Sequence, residues 1–101
     1  MKSGLPNPTA KQKRRLEIIK REIGCLNHPG RPADAHHLLR NGRRISHDAT
    51  IPLCPDCHRG PNGTHKRRRW FAETYGTDEE LLARTDALVA EFEANTIGGG
   101  R

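Results

Sequence analysis

Aromatic residues and long apolar runs are both scarce in this chain. One Trp, one Tyr and two Phe make up 4% of it, and apolar residues of all kinds only 33%, so the core must be thin. With 101 residues there is enough chain for one domain and not for two. A domain with so little to bury is marginal on hydrophobic free energy alone, and such domains recruit a metal or disulfides. Nothing approaches the roughly 18 consecutive apolar residues of a membrane span. The opening residues, MKSGLPNPT, hold one leucine and two prolines where a secretory signal needs an apolar stretch. A full disulfide set is excluded as well, because the three cysteines, Cys25, Cys54 and Cys57, cannot all pair. The expected setting is a reducing cytoplasm without a membrane partner, where such cysteine spacing reads as metal binding.

Acidic residues are missing from most of the chain. Residues 1–70 hold sixteen Lys/Arg against five Asp/Glu, a balance of +11, whereas residues 71–101 hold two against seven, or −5. All six histidines and all three cysteines lie in the basic part. Mere solubility does not demand such segregation, so a polyanion is the expected partner of that part, and nucleic acid is the commonest one.

The local pattern predicts an α+β domain. Residues 1–8 read as a flexible lead-in, 9–94 as one domain and 95–101 as a disordered tail. Pro8 and Thr9 open a helical pattern running to about Ile23, with Leu16, Ile19 and Ile23 on one face and Gly24 as its stop. Ala35–Leu39 and Thr50–Leu53 read as two short strands joined by a long polar loop, RNGRRISHDA. Another loop, RGPNGTH, is expected after Cys57. A helix follows from about Lys66 to Tyr75, with Trp70, Phe71 and Tyr75 available to pack. Thr77-x-x-Glu80 has capping-box form and opens a last helix carrying Leu81, Leu82, Leu88, Val89 and Phe92.

Cys25-x-x-His28 and Cys54-x-x-Cys57 form two knuckles whose two-residue spacers let both side chains reach one ion. Together they supply four N/S ligands, the closed tetrahedral set of a structural zinc site. A closed shell leaves no place for substrate. This ion is therefore expected to fold the protein, tying the first helix to the second strand, and metal-binding free energy then becomes folding free energy.

His36, His37, His47, His58 and His65 remain. Adjacent residues on a strand point to opposite faces, so His36 and His37 are expected to have different tasks. The runs AHHLL and TIPLCPDCHRG resemble the pattern of HNH (ββα-metal) endonucleases. With IPLCPDCHRGPNGTH, RRRWF and YGTDEELL, the stretch from Cys25 to Thr85 is similar to the phage recombination-enhancement, RecA-dependent nucleases of the Ref type. The resemblance implies a ββα-metal domain flanked by an N-terminal helix, a structural zinc knuckle pair and C-terminal helices. It makes His36 the first ligand of a catalytic metal, His58 the second and His37 the general base. One position departs from the pattern, because Ala49 stands where the middle Asn usually lies. The group that orients the base is therefore open between the Ala49 carbonyl, Asp48 and His47.

The chemistry implied is hydrolysis of DNA phosphodiesters, as an endonuclease or nickase in DNA recombination. A divalent ion (Mg²⁺, Mn²⁺, Ni²⁺ or Zn²⁺) at His36 and His58 would stabilise phosphate charge as a Lewis acid, and neutral His37 would take the proton of the attacking water. His65 is a third ligand or a phosphate contact. Arg43, Arg44, Arg59, Lys66, Arg67, Arg68 and Arg69 are expected to hold the DNA backbone. A recombinase filament on DNA is the further partner the resemblance suggests. The competing reading is a non-catalytic zinc finger that binds nucleic acid, which needs one metal site and not two.

Overall fold

The computed structural model describes residues 5–95, so residues 1–4 of the expected lead-in and 96–101 of the expected tail lie outside the described part. The first helix, α1 (Ala10–Glu17), is started by Thr9, whose hydroxyl accepts from the Gln12 N–H while the Gln12 side chain accepts from the Thr9 N–H. That reciprocal cap satisfies two donors that a helix start leaves bare. Pro8 thus precedes the helix. Ile18–Ile23 continues it as a wider π-helical segment, closed by the Gly24 N–H donating to the Ile19 carbonyl at 3.0 Å. The wider turn changes the buried face: Ile18 and Ile19 are buried, and Leu16 and Ile23 pack only at its margin. A pure 3.6-residue period cannot show this.

Two strands, β1 (Asp34–His37) and β4 (Thr50–Leu53), pair antiparallel with Ala35 opposite Pro52, His36 opposite Ile51 and His37 opposite Thr50. The first strand thus starts a residue earlier than expected and ends at His37. Leu39 belongs instead to β2 (Leu39–Arg40), which pairs with β3 (Arg43–Arg44). The expected long loop therefore contains a second, tight hairpin. Its two turn residues, Asn41 and Gly42, have φ of 54° and 77°. That left-handed pair is what a two-residue turn between twisted strands requires, and Asn-Gly supplies it at least cost.

A short helix, α2 (Pro55–Arg59), begins directly after Cys54, with Pro55 at its first position, where a missing N–H costs nothing. The expected loop after Cys57 accordingly starts only at Gly60. Helix α3 spans Arg68–Tyr75, two residues later than expected at its start, because Lys66 and Arg67 still donate to the Gly63 carbonyl in the preceding turn. Helix α4 (Asp78–Glu93) has the expected Thr77–Glu80 capping box. Asn95 continues its helical path, contrary to a tail starting at 95.

Two small cores hold these elements. Leu38, Ile51, Leu53, Phe71 and Leu81 pack with the three cysteines, while Ile18, Ile19 and Val89 join the π segment to α4. Polar ties supplement the thin core. Arg15 donates to both the hydroxyl and the carbonyl of Thr50 and pairs with Asp86, so one guanidinium links α1, β4 and α4. Among the described residues no helix is long and apolar enough to cross a membrane.

Candidate metal centres and active site

The two predicted knuckles meet. The Sγ atoms of Cys25, Cys54 and Cys57 lie 3.8, 3.7 and 3.3 Å from His28 Nδ1. A tetrahedral zinc ion with ordinary Zn–S and Zn–N bonds sets such edges at about 3.5 Å. The four residues therefore fit a structural zinc site, and all three cysteines are free of disulfides and buried. The backbone brings them there: the Cys25 N–H donates to the Arg31 carbonyl, the Arg31 N–H to the His28 carbonyl, and the Leu26 N–H to Pro52 of β4. From α4, Arg84 donates to the Leu26 carbonyl at 2.8 Å.

Donors surround the sulfurs. Asn27 Nδ2 approaches Cys57 Sγ and Arg31 Nη1 approaches Cys54 Sγ, each at 3.7 Å. Burial pushes the Cys54 thiol up, but the Cys57 backbone N–H and the Arg31 guanidinium outweigh it and bring the group down to about 7. Burial raises the Cys57 thiol to about 12. Zinc must displace its proton, so binding is coupled to pH.

One residue beyond Cys57, a second cluster begins. His36 of β1, His58 of α2 and His65 of the following loop bring their ring nitrogens within 4.8 Å of one another. The ring centroids are 5.0 Å apart for His36 and His58, 5.1 Å for His36 and His65, and 4.8 Å for His58 and His65. His65 reaches this position because the loop folds back over α2: the Thr64 N–H donates to the Cys57 carbonyl at 2.7 Å and the His65 N–H to the His58 carbonyl at 3.3 Å. Gly63 makes that approach possible, since a Cβ there would stand 2.7 Å from the Asp56 carbonyl oxygen and 2.9 Å from that of Cys57.

His58 donates from Nδ1 to the Asp34 carboxylate at 3.2 Å, which fixes its tautomer and directs Nε2 as the remaining lone pair. Asp34 escaped sequence reasoning, although it lies two residues before His36 and so on the same face of β1. Burial, then the neighbouring His58 and His65, hold His36 down at about 4. His65 is lowered too, by burial first and then by His58, Arg59 and Arg68. Both shifts favour the neutral imidazole, the form that offers a lone pair.

A cleft of about 70 Å³, lined by His36, Leu39, Thr64, His65, Arg68 and Asp78, opens beside the cluster. That is roughly the room of two waters. The predicted basic residues are all exposed but divide by placement. Arg68 faces the cleft, whereas Arg67 donates to Asn62 and lies 5.0 Å over the Trp70 ring, and Arg69 pairs with Glu73.

His37 projects from the other side of β1, as the strand's alternation requires. Burial first, then Arg44 and His47, lower it to about 4. Its Nε2 lies 3.0 Å from His47 Nδ1. Of the other two groups expected to be able to orient it, the Ala49 carbonyl accepts the Leu38 N–H and Asp48 accepts from Gln12.

A closed Cys₃His cluster that fits a structural zinc thus lies beside a second cluster of three imidazoles that borders a cleft with a guanidinium. Residues 8–90 match the family described as recombination enhancement, RecA-dependent nuclease. The chain belongs to that family, which carries a nuclease role in recombination. No curated protein and no solved structure shows significant similarity to the chain.

Proposed function

We propose that the protein is a metal-dependent DNA endonuclease or nickase of the HNH, ββα-metal type. The observation that carries this reading is the pair of separate ligand clusters, one saturated by four protein ligands and one built from His36, His58 and His65 beside a cleft. A non-catalytic finger needs only the first. The succession of β1, β4 and α2, with His36 and His37 on the first strand and His58 on the helix, supports the ββα assignment.

His36, His58 and His65 would hold the catalytic ion, whose chemistry is Lewis-acid stabilisation of charge on the phosphate and the leaving 3′ oxygen. Their all-imidazole donor set favours borderline ions such as Ni²⁺ or Zn²⁺ over Mg²⁺. Asp34 keeps His58 in the ligating tautomer. Arg68 holds a phosphate oxygen over the cleft. The hairpin Arg40–Arg44 adds three exposed guanidinium groups, with Arg40 and Arg43 directly opposite each other. Like charges placed so repel, and a phosphate backbone relieves that repulsion. His37 takes the proton from the attacking water as oxygen bonds to phosphorus. The bond from phosphorus to the 3′ oxygen breaks, and that oxygen is protonated from solvent. DNA in a reducing cytoplasm, presented on a recombinase filament, is the substrate this assignment entails.

Plasmid nicking with Mg²⁺, Mn²⁺ or Ni²⁺, beside metal analysis of the folded protein, tests the reading. Two ions per chain and metal-dependent nicking are expected. A single ion, with DNA binding intact and no nicking under any metal, leaves only a nucleic-acid-binding finger.

A further inference from the structure

The cleft beside the imidazoles adjoins a second recess. This one, of about 130 Å³, lies between α3 and the start of α4, and Thr64, Arg68 and Asp78 line both compartments. Arg68, Phe71 and Ala72, three and four residues apart, turn one face of α3 toward it. Gly76, Thr77 and Glu79 close its far side. The open space thus runs from His36 and His65, past a guanidinium, to an apolar floor. Its second part has room for about four waters.

The three shared residues carry idle polar groups. Thr64 is only 9% exposed and its N–H is held by the Cys57 carbonyl, yet no described residue bonds its hydroxyl. Among the described residues every side-chain polar atom sealed from solvent has a partner, so the unpaired Thr64 oxygen must reach the cleft that Thr64 lines. The Arg68 guanidinium and the Asp78 carboxylate likewise make no hydrogen bond or ion pair with any described residue, unlike Arg67 and Arg69. A donor, an acceptor and a hydroxyl that can be either therefore converge on one hollow. Stacked duplex DNA cannot use them, because its base edges stay within its grooves. A base enters such a recess only when it leaves the stack.

We propose that the second recess is a base subsite, taking an unpaired cytosine from the nucleotide next to the cut. The inference rests on the nuclease reading and names its substrate class, DNA with bases out of the stack. Arg68 holds the phosphate where the two compartments meet. The ring lies over Phe71 and Ala72, and the volume suits one six-membered ring better than a fused pair. Asp78 accepts from the cytosine N4 amine, the pairing expected of a carboxylate. The Thr64 hydroxyl donates to ring N3. Thymine presents O4 where cytosine presents its amine, so two acceptors would face each other at Asp78.

The test uses the full zinc-loaded chain and two free nucleotides, deoxycytidine and deoxythymidine 5′-monophosphate. Amide shifts of Thr64, Gly76 and Asp78 in ¹⁵N–¹H spectra report the recess without any cleavage. The cytosine nucleotide should move them with a Kd about tenfold below that of the thymine nucleotide, the scale of one good base contact. Asp78→Asn, whose amide can donate to O4, should erase that preference. Thr64→Val, of the same shape without the hydroxyl, should weaken the cytosine nucleotide. Nicks mapped on single-stranded circular DNA should carry cytosine over thymine on one side of the cut by a similar factor, and Asp78→Asn should lose the bias. Equal binding of both nucleotides overturns the subsite. So do unmoved amides, a preference that survives Asp78→Asn, or a Thr64→Val chain that binds as wild type does. If Asp78→Asn does not fold, the wild-type comparison and Thr64→Val still decide. A chain that binds the cytosine nucleotide here but nicks nothing overturns the nuclease reading alone. One that nicks without base bias overturns the subsite alone.

Discussion

The two ligand clusters touch at a single peptide bond, between Cys57 and His58, yet they are built in opposite ways. The Cys₃His set draws on two short knuckles, has its three cysteines buried and His28 half-buried, and fits a tetrahedral ion with no position to spare. The His36–His58–His65 set draws one ligand each from a strand, a helix and a loop, and borders a cleft. Sulfur ligands close a fold, whereas scattered imidazoles leave an ion open to an outside oxygen. The difference is between a set that fits a closed structural ion and one whose nitrogens border open space.

Removing the first ion breaks the comparison most severely. Cys57→Ser, or strong chelation, is expected to abolish cooperative unfolding and most helical circular dichroism, since the zinc offsets a thin core whose net stability is about 5–15 kcal/mol at best. His36→Ala should instead keep the fold and the zinc and lose only the second ion; a His36→Ala chain that retains two ions would sink the division. Next in size, His37→Ala should lower kcat by about 10²–10⁴-fold with both ions retained in metal analysis. Asp34→Asn should weaken the second ion by about 10–100-fold in a competition titration, with zinc affinity unmoved.

Acidification sharpens the contrast from another side. His36 and His37 are held near 4 in the folded chain against an ordinary 6.5. The unfolded chain therefore binds their protons first, so their contribution is complete above about pH 6.5 and is lost as pH falls through 4. Melting temperature measured across that window should drop, and less steeply for His36→Gln. The smallest effect separates the arginines: Arg68→Ala should reduce the salt slope of DNA binding by about 0.9, and Arg69→Ala, already paired with Glu73, by less.

The closed cluster was legible because its ligands come as local pairs. Cys25-x-x-His28 and Cys54-x-x-Cys57 announce their geometry within four residues each, and the capping box at Thr77 does the same for α4. The open cluster was legible only in part. His36 and His58 emerged through a family resemblance, but the place of His65 depends on Gly63 letting a loop lie against α2, a tertiary fact with no periodic trace. Asp34 is accessible to strand alternation, since it shares a face of β1 with His36. Asn41-Gly42 signalled a tight turn inside what read as one long loop. The π segment left no mark in the sequence, since widening one helical turn changes which isoleucines face inward without changing composition.

The bond joining Cys57 to His58, with the loop stitched back over both, imposes an order of assembly. Without zinc to organise the cysteines, α2 is tied to β1 by the His58–Asp34 hydrogen bond and to the following loop by the Thr64 and His65 N–H groups, a slender hold for the three imidazoles. Metal titrated into the empty protein should then fill the sulfur site before the nitrogen site acquires any affinity. On the proposed function, scarcity of zinc would silence the protein however much of a second ion were at hand.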